Sequence, residues 1–423
     1  MSPAQGAAQQ IDDVYVKLFT RGKPGKVEIG APDSDPVARI IETINASILR
    51  YVGATLRDAE LAQLLQPDRV LVRTIPPAGI EALTIWIAPR HVVALNRGLA
   101  LFVYRLARAF AAHVIDRTPA DPPAPPESRT AGIIATLLDW MASPVRAPLV
   151  DDWPTGSREI RTAENFATAA ERFVLAHEVG HILHKHLIAD SAKVDLSQAS
   201  LPELDRRPVD QEIEADVSGT FISIESMQHE GIDPRAAVTG IYFFFRALQL
   251  GELVGAIEVD EAHRPAQERL AICDHVIGER YGSHAPVFRQ WAHSTDELLE
   301  RLAREALAER DRRRTVATAR IEEVLSTTTW STGPRDIVRD TALLKEMQSL
   351  MSHSPSAVIE ALAASLLDAD TYKQLLEGAR SAEALEQDDR WRRHQIAHFI
   401  TRYAPEPVKQ ALGVHFPIIG GQE

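Results

Sequence analysis

The run FVLAHEVGHILHKHL, Phe173 to Leu187, constrains the fold more than any other part of the chain. Phe173, Val174, Leu175, Val179, Ile182 and Leu183 make it apolar nearly all round a helix, so it reads as a buried helix rather than a surface one. At 100° per residue, positions 166, 170, 173, 177, 181 and 184 form one stripe, which puts His177 and His181 on the same side. Two imidazoles in the middle of an apolar helix need partners, because burial penalises an unpaired polar group.

Around this helix the periodicity is mostly helical. Asp35 to Val52 has Ile40, Ile41, Ile44 and Ile48 at helical spacing on one side. The pattern changes over RVLVRT (Arg69 to Thr74), LTIWIAP and HVVALN (Leu83 to Asn96), where β-branched and aromatic residues between turn signals predict a small sheet. A helix follows from Gly98 to about Asp116, and the prolines of TPADPPAPPE (Thr118 to Glu127) forbid regular structure beyond it. From about Ala131 nearly everything reads as helix, including STDELLERLAREALAERDRRR, DTALLKEMQSLM, SAVIEALAASLL and DRWRRHQIAHFITRY, with a break at Gly333-Pro334. The fold class expected is α+β, predominantly helical. A catalytic domain with a small β-sheet would occupy 61–284, after an N-terminal tail and helical segment at 1–60, with an all-helical accessory or interaction domain at 285–423.

With 423 residues the chain is long enough for more than one core, and 45% hydrophobic against 25% charged residues is the balance of a folded protein. A net charge of -13 opposes binding to a phosphate backbone, so no nucleic acid is expected. The basic stretch ERDRRR, Glu309 to Arg314, reads as the solvated face of a helix. One cysteine, Cys273, excludes an intrachain disulfide or a CxxC zinc knuckle and fits a reducing compartment. The first residues lack a signal-peptide pattern, and the apolar run Ala236 to Phe245 is too short to span a bilayer. A cytoplasmic protein without a membrane partner is the expectation.

The chemistry concentrates in HEVGH, residues 177–181. One turn apart on a rigid helix, His177 and His181 can share one Zn2+ ion, and Glu178 sits just off their stripe, within reach of a water beside it. HExxH can also arise by chance in a chain with fifteen histidines, so the rest of the coordination sphere decides. A second helix opens near Pro208 and reads VDQEIEADVSGTFISI. Glu212 and Asp216, four residues apart, share a face, whereas Glu214 points away. Glu212 would complete a His2Glu site, and Asp216 would hydrogen-bond the second ring nitrogen of a ligand histidine. Ala215, Ser218 and Gly219 are small, as a close helix crossing requires. His184, one turn beyond His181, is the alternative ligand, and Glu214 the alternative to Glu212. His186 falls on the opposite face as a surface or packing histidine.

The pair HEVGH and EIEAD resembles the gluzincin metallopeptidases, over roughly residues 160–280. It is most similar to the soluble ImmA/IrrE group and to the HtpX and CAAX prenyl protease group, which carries an ExxxD helix; Lit-like phage-exclusion proteases are a further relative. HRPAQERL, His263 to Leu270, is similar to the downstream His, Pro and Arg motif of the prenyl protease group, but here Arg264 stands between the His and the Pro. The resemblance implies a zincin-like catalytic domain and limited proteolysis of a protein or peptide substrate, in stress response, repressor control or phage defence. It makes Glu178 the general base, with His263 and Arg269 as candidate donors to the developing oxyanion; a helix cap and a surface charge are the other readings of that pair. Enzymes of this kind bind substrate as a strand added to a sheet edge beside the zinc. The segments around Ile85 to Leu95 would supply that edge, a purely structural sheet being the other reading. The insert Asp190 to Arg207 would be a lid or a plain loop.

Other classes can be compared directly. A metzincin needs HExxHxxGxxH, but His184 stands at the glycine position and Leu187 at that of the third histidine. An aminopeptidase would need an anchor for the substrate's amino terminus, and no GxMEN-type motif is present. A zinc metalloendopeptidase is therefore the leading expectation. The alternative is a regulatory or binding module on an inactive metallopeptidase fold, recruiting a partner through the C-terminal helices. Retention of Glu178 beside a three-ligand set favours the enzyme.

Overall fold

The computed structural model describes residues 35–75, 82–87, 90–115, 117, 123–142, 156–186, 209–257, 259 and 264–327. It divides into two compact units, one of Met1–Ile115, Gly156–Gln249 and Val259–Leu298, the other of Asp116–Thr155, Leu250–Glu258 and Leu299–Glu423. The tail before Asp35, the insert Asp190 to Arg207, and everything after Thr327, including three of the four C-terminal helical segments and the Gly333-Pro334 break, lie outside the described residues.

In the first unit, helix α1 (Pro36–Thr55) starts at Asp35, whose carboxylate accepts from the Val37 N–H at 3.0 Å, with proline in the first turn where no donor is missed. Ile41, Ile44 and Ile48 are buried as the spacing requires, but Ile40 is 53% exposed. The inward face is completed by Asn45, Ser47, Leu49 and Val52. A short helix α2 (Ala59–Leu64) leads into strands β1 (Val70–Ile75), β2 (Ala82–Ile87) and β3 (Arg90–Asn96). The order is β1-β3-β2, with β3 parallel to β1 and antiparallel to β2. Thus β3, paired on both sides, cannot offer the free edge expected around Ile85 to Leu95, and among the described residues only the β2 part of that segment is an edge strand. Asn96, which flanks the sheet, caps helix α3 (Arg97–Val114) by accepting from the Gly98 N–H at 2.7 Å.

Helix α5 (Ser157–Leu183), which carries HEVGH, is packed by α3, α1 and helix α6 (Val209–His229). Phe110 of α3 and Phe166 of α5 meet edge-on at 5.4 Å, and Phe243 lies 5.5 Å from Phe166. Phe110 and Phe243 are fully buried, and each contributes roughly 1.5–3 kcal/mol by leaving water. Phe243 belongs to helix α7 (Pro234–Leu253), where a Cβ on Gly240 would stand 2.5 Å from the Ala169 Cβ, so glycine sets that approach. Arg172, 5% exposed, ties α1, α5 and α6 together by donating to Ser47, Ser226 and Glu230 at 3.1, 3.1 and 2.8 Å. Helix α8 (Ala266–Tyr281) lies against α6.

In the second unit, helix α4 (Glu127–Ala142) is bound to the later part of the 43-residue helix α9 (Ala285–Thr327). Arg301 pairs with Glu127 through two contacts of 3.0 Å, and Arg310 donates to Asp139 at 2.9 Å. The stretch Glu309 to Arg314 is therefore not simply a solvated face: Arg310 is 6% exposed because Asp139, 1% exposed, gives its charge a partner inside. No helix among the described residues is long and apolar enough to cross a membrane.

Candidate functional site

Helices α5 and α6 cross at their small residues. A Cβ on Gly219 would stand 2.8 Å from the His177 backbone nitrogen, and one on Gly180 would stand 3.1 Å from the Ala215 backbone. This closeness places the carboxylates of α6 against the histidines of α5. The His177 and His181 Nε2 atoms are 3.1 Å apart, Glu212 Oε2 is 3.4 Å from the first, and Glu212 Oε1 is 3.3 Å from the second. Tetrahedral zinc with bonds of about 2.0–2.2 Å needs ligand atoms about 3.3–3.6 Å apart, so these three side chains fit such an ion with little movement. All three are buried, His181 completely.

Behind His177 stands a second layer. Its Nδ1 is 2.9 Å from Asp216 Oδ1, and Arg269 of α8 clamps both Asp216 oxygens from Nε at 2.7 Å and Nη2 at 2.8 Å. Arg269 Nη2 is also 3.8 Å from Glu212 Oε2, and its guanidinium lies 5.5 Å from the centre of the Phe245 ring. Burial favours the neutral form of each acid, yet the charges override it. Asp216 is held low by Arg269 and then His177, and Glu212 well below the ordinary range by His177 and His181. Burial likewise opposes the charged form of His177, but hydrogen bonds to Asp216 and Glu212 raise it to about 9. The site thus holds two ionised carboxylates, Glu212 and Asp216, against the imidazole of His177 and the guanidinium of Arg269.

Glu178, 2% exposed, accepts a hydrogen bond at Oε2 from the Thr84 hydroxyl of β2 at 2.7 Å. Among the described residues β2 pairs with β3 alone, and β2 lies against α5. Thr84 is absent from the residues expected from the sequence; the only signal is one polar side chain inside LTIWI, in a strand whose centre is buried.

Past Leu183 the helical extrapolation fails. His184 ends α5, and Lys185 takes φ 57°, a left-handed turn that folds the chain back. His186 is therefore buried on the His181 side and not on the opposite face: its Nδ1 is 3.0 Å from His181 Nδ1 and its Nε2 2.9 Å from Glu214 Oε2. His184 is outside the group of His177, His181 and Glu212. Its Nε2 meets Ser218 at 2.8 Å, and its ring stacks on His186 at 5.3 Å. Of the seven site residues expected from the sequence, the structure brings together His177, Glu178, His181, Glu212, Asp216 and Arg269, whereas His263 lies outside the described residues.

The sequence model of the family Peptidase U49 matches residues 121–277, a stretch from before α4 into α8 that contains every one of these side chains except Thr84. The chain is thus similar to a peptidase family over less than half its length. No curated protein and no solved structure matches it.

Proposed function

We propose that this protein is a zinc-dependent endopeptidase acting on a protein substrate. Similarity to a peptidase family supports hydrolysis of peptide bonds. The metal rests on one observation, the His177 and His181 Nε2 atoms 3.1 Å apart with a Glu212 oxygen 3.4 Å from the first and the other Glu212 oxygen 3.3 Å from the second, and Glu178 one residue along the same helix.

His177, His181 and Glu212 would hold the ion, which supplies Lewis acidity at a fourth, open position. Glu178 accepts a proton from the attacking water and passes it to the leaving amine. Thr84 holds Glu178 by one oxygen, and Asp216 holds the His177 ring with its second nitrogen protonated. Arg269, assigned from the sequence to the oxyanion, is better placed to support: its Nε and Nη2 donate to Asp216, so it fixes the residue that fixes a ligand. The edge of β2 that no described strand pairs offers backbone groups to an extended segment of substrate, which suits a chain cut within its length rather than at its end.

Elemental analysis of the purified protein tests the centre of this reading. One zinc per chain is expected in the wild type and none in His181→Ala. A folded wild type that takes up no zinc when supplied with it would overturn the proposal.

A further inference from the structure

Two groups of potential ligands lie side by side, His177, His181 and Glu212 in one and His184, His186 and Glu214 in the other, with ligand atoms within 4.8 Å of one another in each. They meet where His181 Nδ1 lies 3.0 Å from His186 Nδ1. Two ring nitrogens at that distance share one proton, and its place decides what the second group can do.

If His181 turns Nε2 to zinc, its Nδ1 carries the proton and donates. His186 then accepts at Nδ1, and a neutral imidazole that accepts there has its own proton on Nε2. That nitrogen is the one 2.9 Å from Glu214 Oε2, so the chain His181 to His186 to Glu214 closes with every atom in its proper role. A cation on His186 Nε2 would reverse this. The His186 proton would move to Nδ1 and face the proton on His181, so filling the second group breaks the contact that serves the first.

We infer that His186, held by Glu214, is a positioning residue of the zinc site, and that the second group is its support rather than a second cation site. The inference rests on the zinc reading above. Each ligand histidine then has its own brace: Asp216 and Arg269 for His177, His186 and Glu214 for His181. The left-handed turn at Lys185 and the stack of His184 on His186, with the two ring planes 16° apart, hold the brace in place.

Zinc affinity measured by chelator competition, together with the visible spectrum of the cobalt-loaded protein, tests this on the full chain. His186→Phe should weaken zinc about 10–100-fold and alter the cobalt spectrum. His186→Asn, which carries an acceptor near the position of Nδ1, should restore most of both. Glu214→Gln, at a half-exposed side chain, should fall between and provides the test if the phenylalanine variant does not fold. One metal per wild-type chain is expected. Wild-type affinity and spectrum in a folded His186→Phe, an asparagine variant as weak as the phenylalanine one, or a second wild-type cation lost in His184→Ala would each overturn the inference while leaving the zinc reading intact. A wild type that binds neither metal would remove the zinc reading and this inference with it.

Discussion

Glu178 is a carboxylate almost out of contact with water, and a buried carboxylate with nothing to hold it swings or protonates. The Thr84 hydroxyl occupies Oε2 and leaves Oε1 to take a proton. Glu178→Gln is expected to keep its zinc and to lose about 10²–10⁴ in cleavage of a fluorescent casein, since the base is gone while the ligands remain. Thr84→Val, similar in shape but without the hydroxyl, should lower kcat by about tenfold with KM and zinc content little changed, and Thr84→Ser should recover the loss. An effect of Thr84→Val on zinc content would place Thr84 in the ligand support instead. Asp216 behaves differently because two groups depend on it. Asp216→Ala leaves the Arg269 cation buried without its clamp, so a stability loss of about 3–5 kcal/mol should accompany weaker zinc, read by thermal melting and chelator competition.

At the scale of elements, two helices are positioned by what is missing from them. A methyl on Gly219 meets the His177 backbone at 2.8–2.9 Å, where no flexible side chain can give way. Gly219→Ala should push α6 off α5, cost about 1–3 kcal/mol, and weaken zinc, whereas an alanine at Gly53, with nothing within 4 Å, should do neither. Much of this crossing was legible, because HEVGH and EIEAD each carry chemistry on a single helical face and small residues mark the contact. What escaped prediction lies where helical extrapolation ends or where a contact spans distant sequence. His186 was misplaced because the left-handed Lys185 breaks the count, and the β1-β3-β2 order follows from pairing that no local pattern encodes. The centre of that sheet also carries a pH response. His91 of β3, 1% exposed, lies against Trp86 at 4.5 Å, and burial lowers its pKa to about 4. Unfolded, it would titrate near 6.5, so between about 6.5 and 4 the unfolded chain binds the extra proton. Stability should therefore fall as pH drops through that window, by at most about 1.4 kcal/mol per pH unit from this group, and the His91→Leu variant should show a shallower loss in urea titrations at pH 7 and 4.5.

For the molecule as a whole, the proposed ligands and the Asp216–Arg269 pair come from α5, α6 and α8, which the chain reaches at residues 177, 212 and 269. An ion held by α5 and α6 that binds only the folded form adds stability by mass action, about 4 kcal/mol at a thousandfold excess over Kd. In a unit of this size that corresponds to a rise on the order of 10 °C in the melting transition. The net charge of -13 makes a control necessary, because an acidic surface gathers divalent cations without any site. Surface binding is weak, screened by salt, and indifferent to a buried histidine; a site at His177, His181 and Glu212 is none of these. Scanning calorimetry in 0.15 M salt should therefore show the zinc-dependent rise in the wild type and not in His181→Ala. An equal rise in both would assign the stabilisation to the acidic surface.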